Sequence, residues 1–173
     1  MKTLIICVCA VLTACAGPQS LGKDTILTGL DVLERGGFAA LKGRKIGLIT
    51  NQTGKTRDGR GAAGVLAQAP GVTLVSIFSP ENGFTGAQEK DSISSTTVLL
   101  GGRMIPVHSL YQGGIAGMRP KESDLQGLDV LVFDIQDIGA RFYTYLATMA
   151  MALEEAKTAG VDFVVLDRPN PIR

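Results

Sequence analysis

The sequence predicts an α/β protein with a Rossmann-like, open and mostly parallel sheet that carries helices on both faces. Short apolar runs of strand length recur along the chain and alternate with segments of helical periodicity. The runs are continuously apolar, which is typical of strands buried on both faces. The 173 residues include 22 Gly, many of them where the predicted strands end, as expected of a loop-rich α/β domain.

Five segments are predicted strands: residues 45–50, 72–78, 104–110, 129–135 and 161–167. Four of them are short runs rich in β-branched and other apolar residues. The run at 104–110 is weaker because Pro106 has no backbone donor, which favours the edge of the sheet. No internal repeat interrupts this order.

Helices are predicted before and between these strands. Residues 29–43 suit a helix and a turn that lead into the first strand, and residues 61–69 suit a second helix. In residues 140–159 apolar side chains recur at helical spacing and predict one buried face. That face comprises Phe142, Leu146, Met149, Ala150, Leu153 and Ala156.

The first 24 residues do not fit the α/β pattern. Residues 1–14 contain one Lys and a long apolar run, which predicts a secretory signal too short to span a membrane. Residues 12–15, LTAC, resemble a bacterial lipobox, which implies acylation of Cys15 and a tether over 15–24. With Ala16, this resemblance implies the periplasmic face of the outer membrane. The alternative is an ordinary signal peptide with a chance Cys.

Composition narrows the possible functions of residues 25–173. This part has no Cys, which excludes a disulfide, a Cys nucleophile and a Cys metal site. His108 is the only His, so a zinc site is not predicted, and no cofactor or metal is expected. Removing the signal leaves 16 basic against 16 acidic residues, which gives no electrostatic reason to expect nucleic acid.

Polar side chains follow every predicted strand directly. In a parallel sheet these positions share one edge, where ligands of open α/β proteins bind. Amide, carboxylate and phenol groups favour a neutral, hydroxyl-rich ligand such as a sugar. The segments concerned are 50–54, 79–86, 109–113, 134–145 and 167–171.

Five motifs, in this order, resemble the exo-β-N-acetylmuramidase family (NamZ or YbbC-like glycoside hydrolases). They are TNQTG (50–54), SPENGFTG (79–86), PVHSLY (106–111), DIQDIGARFYTY (134–145) and LDRPNPI (166–172). The resemblance covers residues 26–173 and implies a Rossmann-like N-terminal domain that carries the active site. It implies release of terminal N-acetylmuramic acid from peptidoglycan fragments. The family continues into a second domain, which a chain ending at Arg173 would lack.

Glycoside hydrolysis requires an acid for the leaving oxygen and a second group that activates water or stabilises the oxocarbenium ion. Glu81, which follows a buried strand and Pro80, is the candidate acid. Asp134 and Asp137 are candidates for the second carboxylate. Alternatively, Asp134 binds loop amides and Asp137 caps the next helix. An acetamido sugar can also supply its own nucleophile.

Six residues are candidate substrate ligands: Asn51, Asn82, Arg141, Tyr143, Tyr145 and Asn170. Arg141 is predicted in a first helical turn, where a cation is unfavourable. It would bind the lactyl carboxylate of muramic acid or pair with Asp134 or Asp137. Tyr143 and Tyr145 are two apart and cannot share a helical face. The family usually has His at the position of Asn82, and Asp167 and Arg168 are expected to pair.

Two other functions remain open from the sequence. Residues 59–64, GRGAAG, match a dinucleotide-binding pattern, but a long segment separates them from the preceding strand, whereas that fingerprint needs a tight turn at once. The stronger alternative is a lipid-anchored module that binds muropeptides without cleaving them, or a truncated remnant. Oligomeric state is not predicted.

Overall fold

The structure is a computed structural model that describes residues 26–88, 93–112 and 115–172. The predicted signal, Cys15 and the whole of the predicted tether lie outside the described residues.

Within the described ranges, six strands form one sheet in the order β3-β4-β2-β1-β5-β6. All neighbouring pairs are parallel except β3 with β4. This confirms the predicted α/β class and the mostly parallel sheet. The strands are β1 (Lys45–Thr50), β2 (Thr73–Ser79), β3 (Thr96–Leu100), β4 (Arg103–Ser109), β5 (Val130–Asp134) and β6 (Asp162–Val165).

Helices cover both faces of the sheet, as predicted. They are α1 (Gly29–Arg35), α2 (Ala62–Ala67), α3 (Glu122–Leu125) and α4 (Tyr145–Ala159), with 3₁₀ turns at Ala39–Leu41 and Ile115–Met118. One apolar cluster joins α1 and α2 to the sheet. The other joins α3 and α4 to the opposite face. Alternate residues of β5 divide between the clusters: Val130 and Val132 in the first, Leu131 and Phe133 in the second.

The strand β3 is absent from the sequence prediction. It forms a hairpin with β4 through Gly101 and Gly102, both with positive φ, as the commonest two-residue turn requires. Because β3 covers β4, the prediction that Pro106 lies at the sheet edge is wrong. The proline is tolerated because β4 pairs with β2 only over residues 107–109.

The predicted buried face of the last helix is largely wrong. The helix begins at Tyr145, and its buried residues are Tyr145, Thr148, Ala152 and Ala156. Phe142 is 86% exposed, and Leu146 and Leu153 are at least half exposed. The small side chains of Ala152 and Ala156 let the helix pack closely against the sheet, which leaves the leucines facing outward.

No helix in the described ranges is long and apolar enough to cross a membrane.

Candidate active site

Asn51, directly after β1, forms the base of the candidate site. Its side chain is 4% exposed, so its polar atoms require partners within the protein. Asn51 Nδ2 donates to the Tyr145 hydroxyl at 2.9 Å. Its Oδ1 accepts from the backbone N–H and the hydroxyl of Thr53, at 2.9 and 2.6 Å. Asn51 therefore ties the loop after β1 to the first residue of α4.

Tyr145 is the hub of the site. Burial raises its pKa to about 12, with a further contribution from Tyr143, while the nearby Asn82 side chain opposes the shift. The phenol therefore remains protonated at neutral pH. The rings of Tyr143 and Tyr145 meet edge to face with centroids 4.8 Å apart. The expectation that these two side chains point apart is wrong, because Tyr143 precedes the helix.

Glu81 lies in a tight turn after β2. The Gly83 N–H donates to the Pro80 carbonyl at 3.0 Å, and Asn82 takes a left-handed conformation with φ of 68°. This turn brings Asn82 to Tyr145. The Glu81 carboxylate accepts a hydrogen bond from Thr144 Oγ1 at 2.6 Å. The turn after β2 thus meets the start of α4.

Asp137 connects to the same site through the loop after β5. Thr53 Oγ1, bound to Asn51, accepts from the Gln136 N–H at 2.9 Å. Asp137 Oδ2 accepts from the Gly139 N–H at 2.7 Å, whereas its buried Oδ1 has no hydrogen-bond partner among the described residues. The alternative that Asp137 caps the helix is wrong, since α4 begins at Tyr145.

Asp134 has a structural position that does not support a catalytic role. Its side chain is fully buried and forms a two-point ion pair with Arg168, at 2.7 and 3.0 Å. Burial raises the pKa of Asp134, and the Arg168 guanidinium opposes that shift. Arg168 also donates to the Lys55 carbonyl. Arg168 therefore pairs with Asp134 at the end of β5 and not, as expected, with Asp167. Its bond to the Lys55 carbonyl connects the loops after β1 and β6.

Arg141 and Asn170 lie in the segments before α4 and after β6. Arg141 is exposed, precedes α4 and makes no ion pair in the described part of the chain, so its predicted pairing with Asp134 or Asp137 is wrong. Asn170 is exposed, and its Oδ1 accepts from the Ile172 N–H. A cavity of about 260 Å³ opens beside Asn170 and is lined by Asp137 and Tyr145 as well. Its lining does not include Arg141, Glu81, Asn51 or Asn82.

The structure thus links Asn51 and Tyr143 directly to Tyr145, with Asn82 close by. Thr144 links Glu81 to the start of α4, and Thr53 reaches Gln136, the residue before Asp137. Sequence reasoning missed Thr53 and Thr144, the two hydroxyl residues that make these links. Thr144 stands between two candidate tyrosines in the motif, and that position is the signal that could have identified it.

His108 has local partners away from this site. It stacks on Phe78 with ring centroids 5.2 Å apart, and its Nδ1 lies 3.4 Å from Asp124 Oδ2. Across residues 26–88, 93–112 and 115–172, no group of three or more His, Cys, Asp or Glu side chains is placed to hold a metal ion.

The comparison that decides the family covers most of the chain. Residues 46–173 match the family described as "Exo-beta-N-acetylmuramidase NamZ, N-terminal". The chain belongs to this family. A NamZ relative, the peptidoglycan beta-N-acetylmuramidase NamZ of Bacillus subtilis, is 42% identical over 154 residues. That alignment covers 88% of this chain and 36% of the relative, so the chain spans about a third of the relative's length.

Two solved structures from Bacteroides fragilis, both titled DUF1343 family proteins, have the same fold. One superposes with a TM-score of 0.73 at 40% identity, and the other with 0.64 at 28%. Each comparison covers 84% of this chain and 35% of the other protein. The predicted family and fold are therefore confirmed for this NamZ N-terminal domain.

Replacing Tyr145 by Phe is expected to lower the free energy of unfolding by about 1–3 kcal/mol, because the buried Asn51 amide loses its acceptor. The raised pKa adds a pH signature. The folded protein holds the phenol proton more tightly than the unfolded chain, so this contribution is complete below about pH 10 and is lost as the pH rises towards 12.

Urea unfolding of both proteins between pH 8 and 11.5 measures this effect. The wild type should lose stability more steeply than the Phe variant above pH 10. Parallel curves would show that Tyr145 contributes nothing to the alkaline transition.

Proposed function

We propose that this domain carries the sugar-binding and proton-transfer groups of a glycosidase that releases terminal N-acetylmuramic acid from peptidoglycan fragments. The observation that carries the proposal is the convergence of Glu81 with Asn51, Asn82 and Tyr145 beyond the carboxyl ends of β1 and β2. The named activity of the B. subtilis relative supports the substrate class. No cofactor is required by this chemistry.

In the proposed reaction, the Glu81 carboxyl group gives its proton to the glycosidic oxygen. The bond from C1 to that oxygen breaks, and its electron pair stays with the leaving sugar. Water supplies OH to C1, and its remaining proton restores a carboxyl group. Asp137 or the substrate's acetamido group stabilises the positive charge that develops at C1. Asp134 does not reach the substrate, since it is fully buried in its ion pair with Arg168.

The test is release of a chromophore from an aryl 2-acetamido-muramic acid β-glycoside by the full chain. Hydrolysis of this compound and release of muramic acid from muropeptides would support the proposal. Calorimetric binding of the muropeptides without any release would instead favour the non-catalytic binding module. If the protein neither binds nor cleaves muropeptides, both the glycosidase and the binding-module proposals are contradicted.

Arg141 is proposed to select the muramic acid lactyl carboxylate. Arg141 is exposed and has no ion-pair partner among the described residues, so its guanidinium is available for two-point binding of a carboxylate. Changing Arg141 to Gln should raise KM for the muramic acid glycoside about tenfold or more, as loss of a charged hydrogen bond predicts.

The control substrate is the N-acetylglucosamine glycoside, which lacks the lactyl group. Its KM should be unchanged in the Arg141 variant, so the preference for muramic acid should fall. An equal rise for both glycosides would assign Arg141 a structural role.

We further propose that the protein is an exported lipoprotein, anchored through Cys15 to the periplasmic face of the outer membrane. The lipobox-like LTAC sequence supports the anchor, because it provides the acceptor thiol directly after small residues, and Ala16 supports the outer membrane as the location. Incorporation of labelled palmitate by the wild type, and its loss in a Cys15→Ser variant, is the expected result. Equal labelling would contradict it.

A further inference from the structure

Thr144 stands at the N-terminus of α4, but its side chain does not serve the helix. A Thr at this position ordinarily accepts a hydrogen bond from a backbone N–H of the first turn. Thr144 makes no such bond. Its hydroxyl instead donates to Glu81 Oε2 at 2.6 Å, across 63 residues of sequence. The Thr144 hydroxyl therefore does not contribute to the capping of the helix.

The backbone holds Thr144 firmly in this position. Its carbonyl accepts from both the N–H and the hydroxyl of Thr148, at 2.9 and 3.1 Å, and Thr148 is 1% exposed. The next residue, Tyr145, is buried and bound to Asn51. A four-turn helix, and not a free loop, thus sets the location of the Thr144 hydroxyl.

Within the described residues, this hydroxyl provides the only hydrogen bond to the Glu81 carboxyl group. A hydroxyl proton can be given to a carboxylate oxygen or to the carbonyl oxygen of a protonated acid. While the Thr144 hydroxyl donates in this direction, Oε2 is the acceptor in both protonation states. The exchangeable proton is left to Oε1, the oxygen that has no partner among the described residues.

We propose that Thr144 is a positioning residue that fixes the rotamer of Glu81 and determines which carboxyl oxygen carries the catalytic proton. This inference rests on the proposed function of Glu81. It assigns a role to a residue that does not itself touch the substrate.

Three variants test the proposal: Thr144→Val, Thr144→Ser and, as a control, Thr158→Val. Val keeps the shape of Thr but has no hydroxyl, whereas Ser keeps the hydroxyl. Thr158 lies on the same helix and bonds only to the Glu154 carbonyl, so it controls for loss of a helical Thr hydroxyl. Thr144→Val should lower kcat about tenfold to a hundredfold through misplacement of the carboxyl group, with KM within about twofold.

Thr144→Ser should retain kcat within about fivefold of the wild type, and Thr158→Val should have the kcat of the wild type. Both variants keep the hydrogen bond to Glu81. A second measurement is independent of activity: side-chain NMR couplings of Glu81. They should report one rotamer in the wild type and in Thr144→Ser, and rotamer averaging in Thr144→Val.

Unchanged kcat and one Glu81 rotamer in Thr144→Val would overturn the proposal. Equal losses in the Val and Ser variants, with a lowered Tm in both, would also overturn it by showing a structural role. If the wild type hydrolyses no glycoside, the proposed function fails. The NMR couplings then decide by themselves whether Thr144 positions Glu81.

Discussion

Replacing Glu81 with Gln is expected to reduce kcat on the muramic acid glycoside by roughly 10²–10⁴, the usual contribution of a positioned general acid. Gln has nearly the same shape, and its amide oxygen can still accept from Thr144 as Glu81 Oε2 does. It has no proton to give to the leaving oxygen. The loss should therefore fall on kcat, while muropeptide binding measured by calorimetry persists.

Glu122→Gln provides the matched control for this change. Glu122 is exposed in the first turn of α3, away from the candidate site, so the same substitution should leave kcat unaltered. An aryl glycoside with a very acidic phenol should also be hydrolysed relatively better by Glu81→Gln, since its leaving oxygen needs less protonation. A Glu81 variant that retains wild-type kcat on muropeptides would eliminate Glu81 as the acid.

Replacing Asp134 with Ala is expected to lower the free energy of unfolding by about 3–5 kcal/mol. The change leaves the Arg168 guanidinium, whose side chain is 7% exposed, without its buried counter-charge. It also disconnects the end of β5 from Arg168 in the loop after β6. Denaturant unfolding followed by circular dichroism measures the difference.

The exposed pair of Arg44 and Asp162 provides the control. Asp162→Ala removes an ion pair of similar length at the surface, where such pairs contribute about 0–1 kcal/mol. A double change, Asp134→Leu with Arg168→Met, should recover much of the lost stability because no buried charge remains. A loss no larger than that of Asp162→Ala would show that the buried pair does not stabilise the fold.

The central strands could be predicted because burial on both faces leaves continuous apolar runs, as in Val130–Asp134. The strand β3 could not be predicted in the same way, because it is antiparallel and largely exposed. The buried face of α4 was misjudged because Leu146 and Leu153 share the helical spacing of core residues. Only packing of Ala152 and Ala156 against the sheet establishes which face is inside.

The candidate site was predicted in outline because parallel strands bring the segments after them to one edge. The roles within that site depend on contacts between segments remote in sequence. Asp134 and Asp137 occupy the same motif, yet one is the last residue of a buried strand and the other lies in the loop beyond it. No local pattern distinguishes them, and the partner of Asp134, Arg168, comes from the loop after β6.

The strand order places β1 between β2 and β5, so the chain moves outward from β1 in one direction first and then in the other. Glu81 follows β2 and Asp137 follows β5, on opposite sides of β1, and Asn51 follows β1 itself. A saccharide bound between Glu81 and Asp137 would connect the two sides of the sheet and so stabilise the folded state. Occupancy at a hundred times Kd would add about 2.7 kcal/mol of stability, which makes thermal melting a binding assay even for catalytically silent variants.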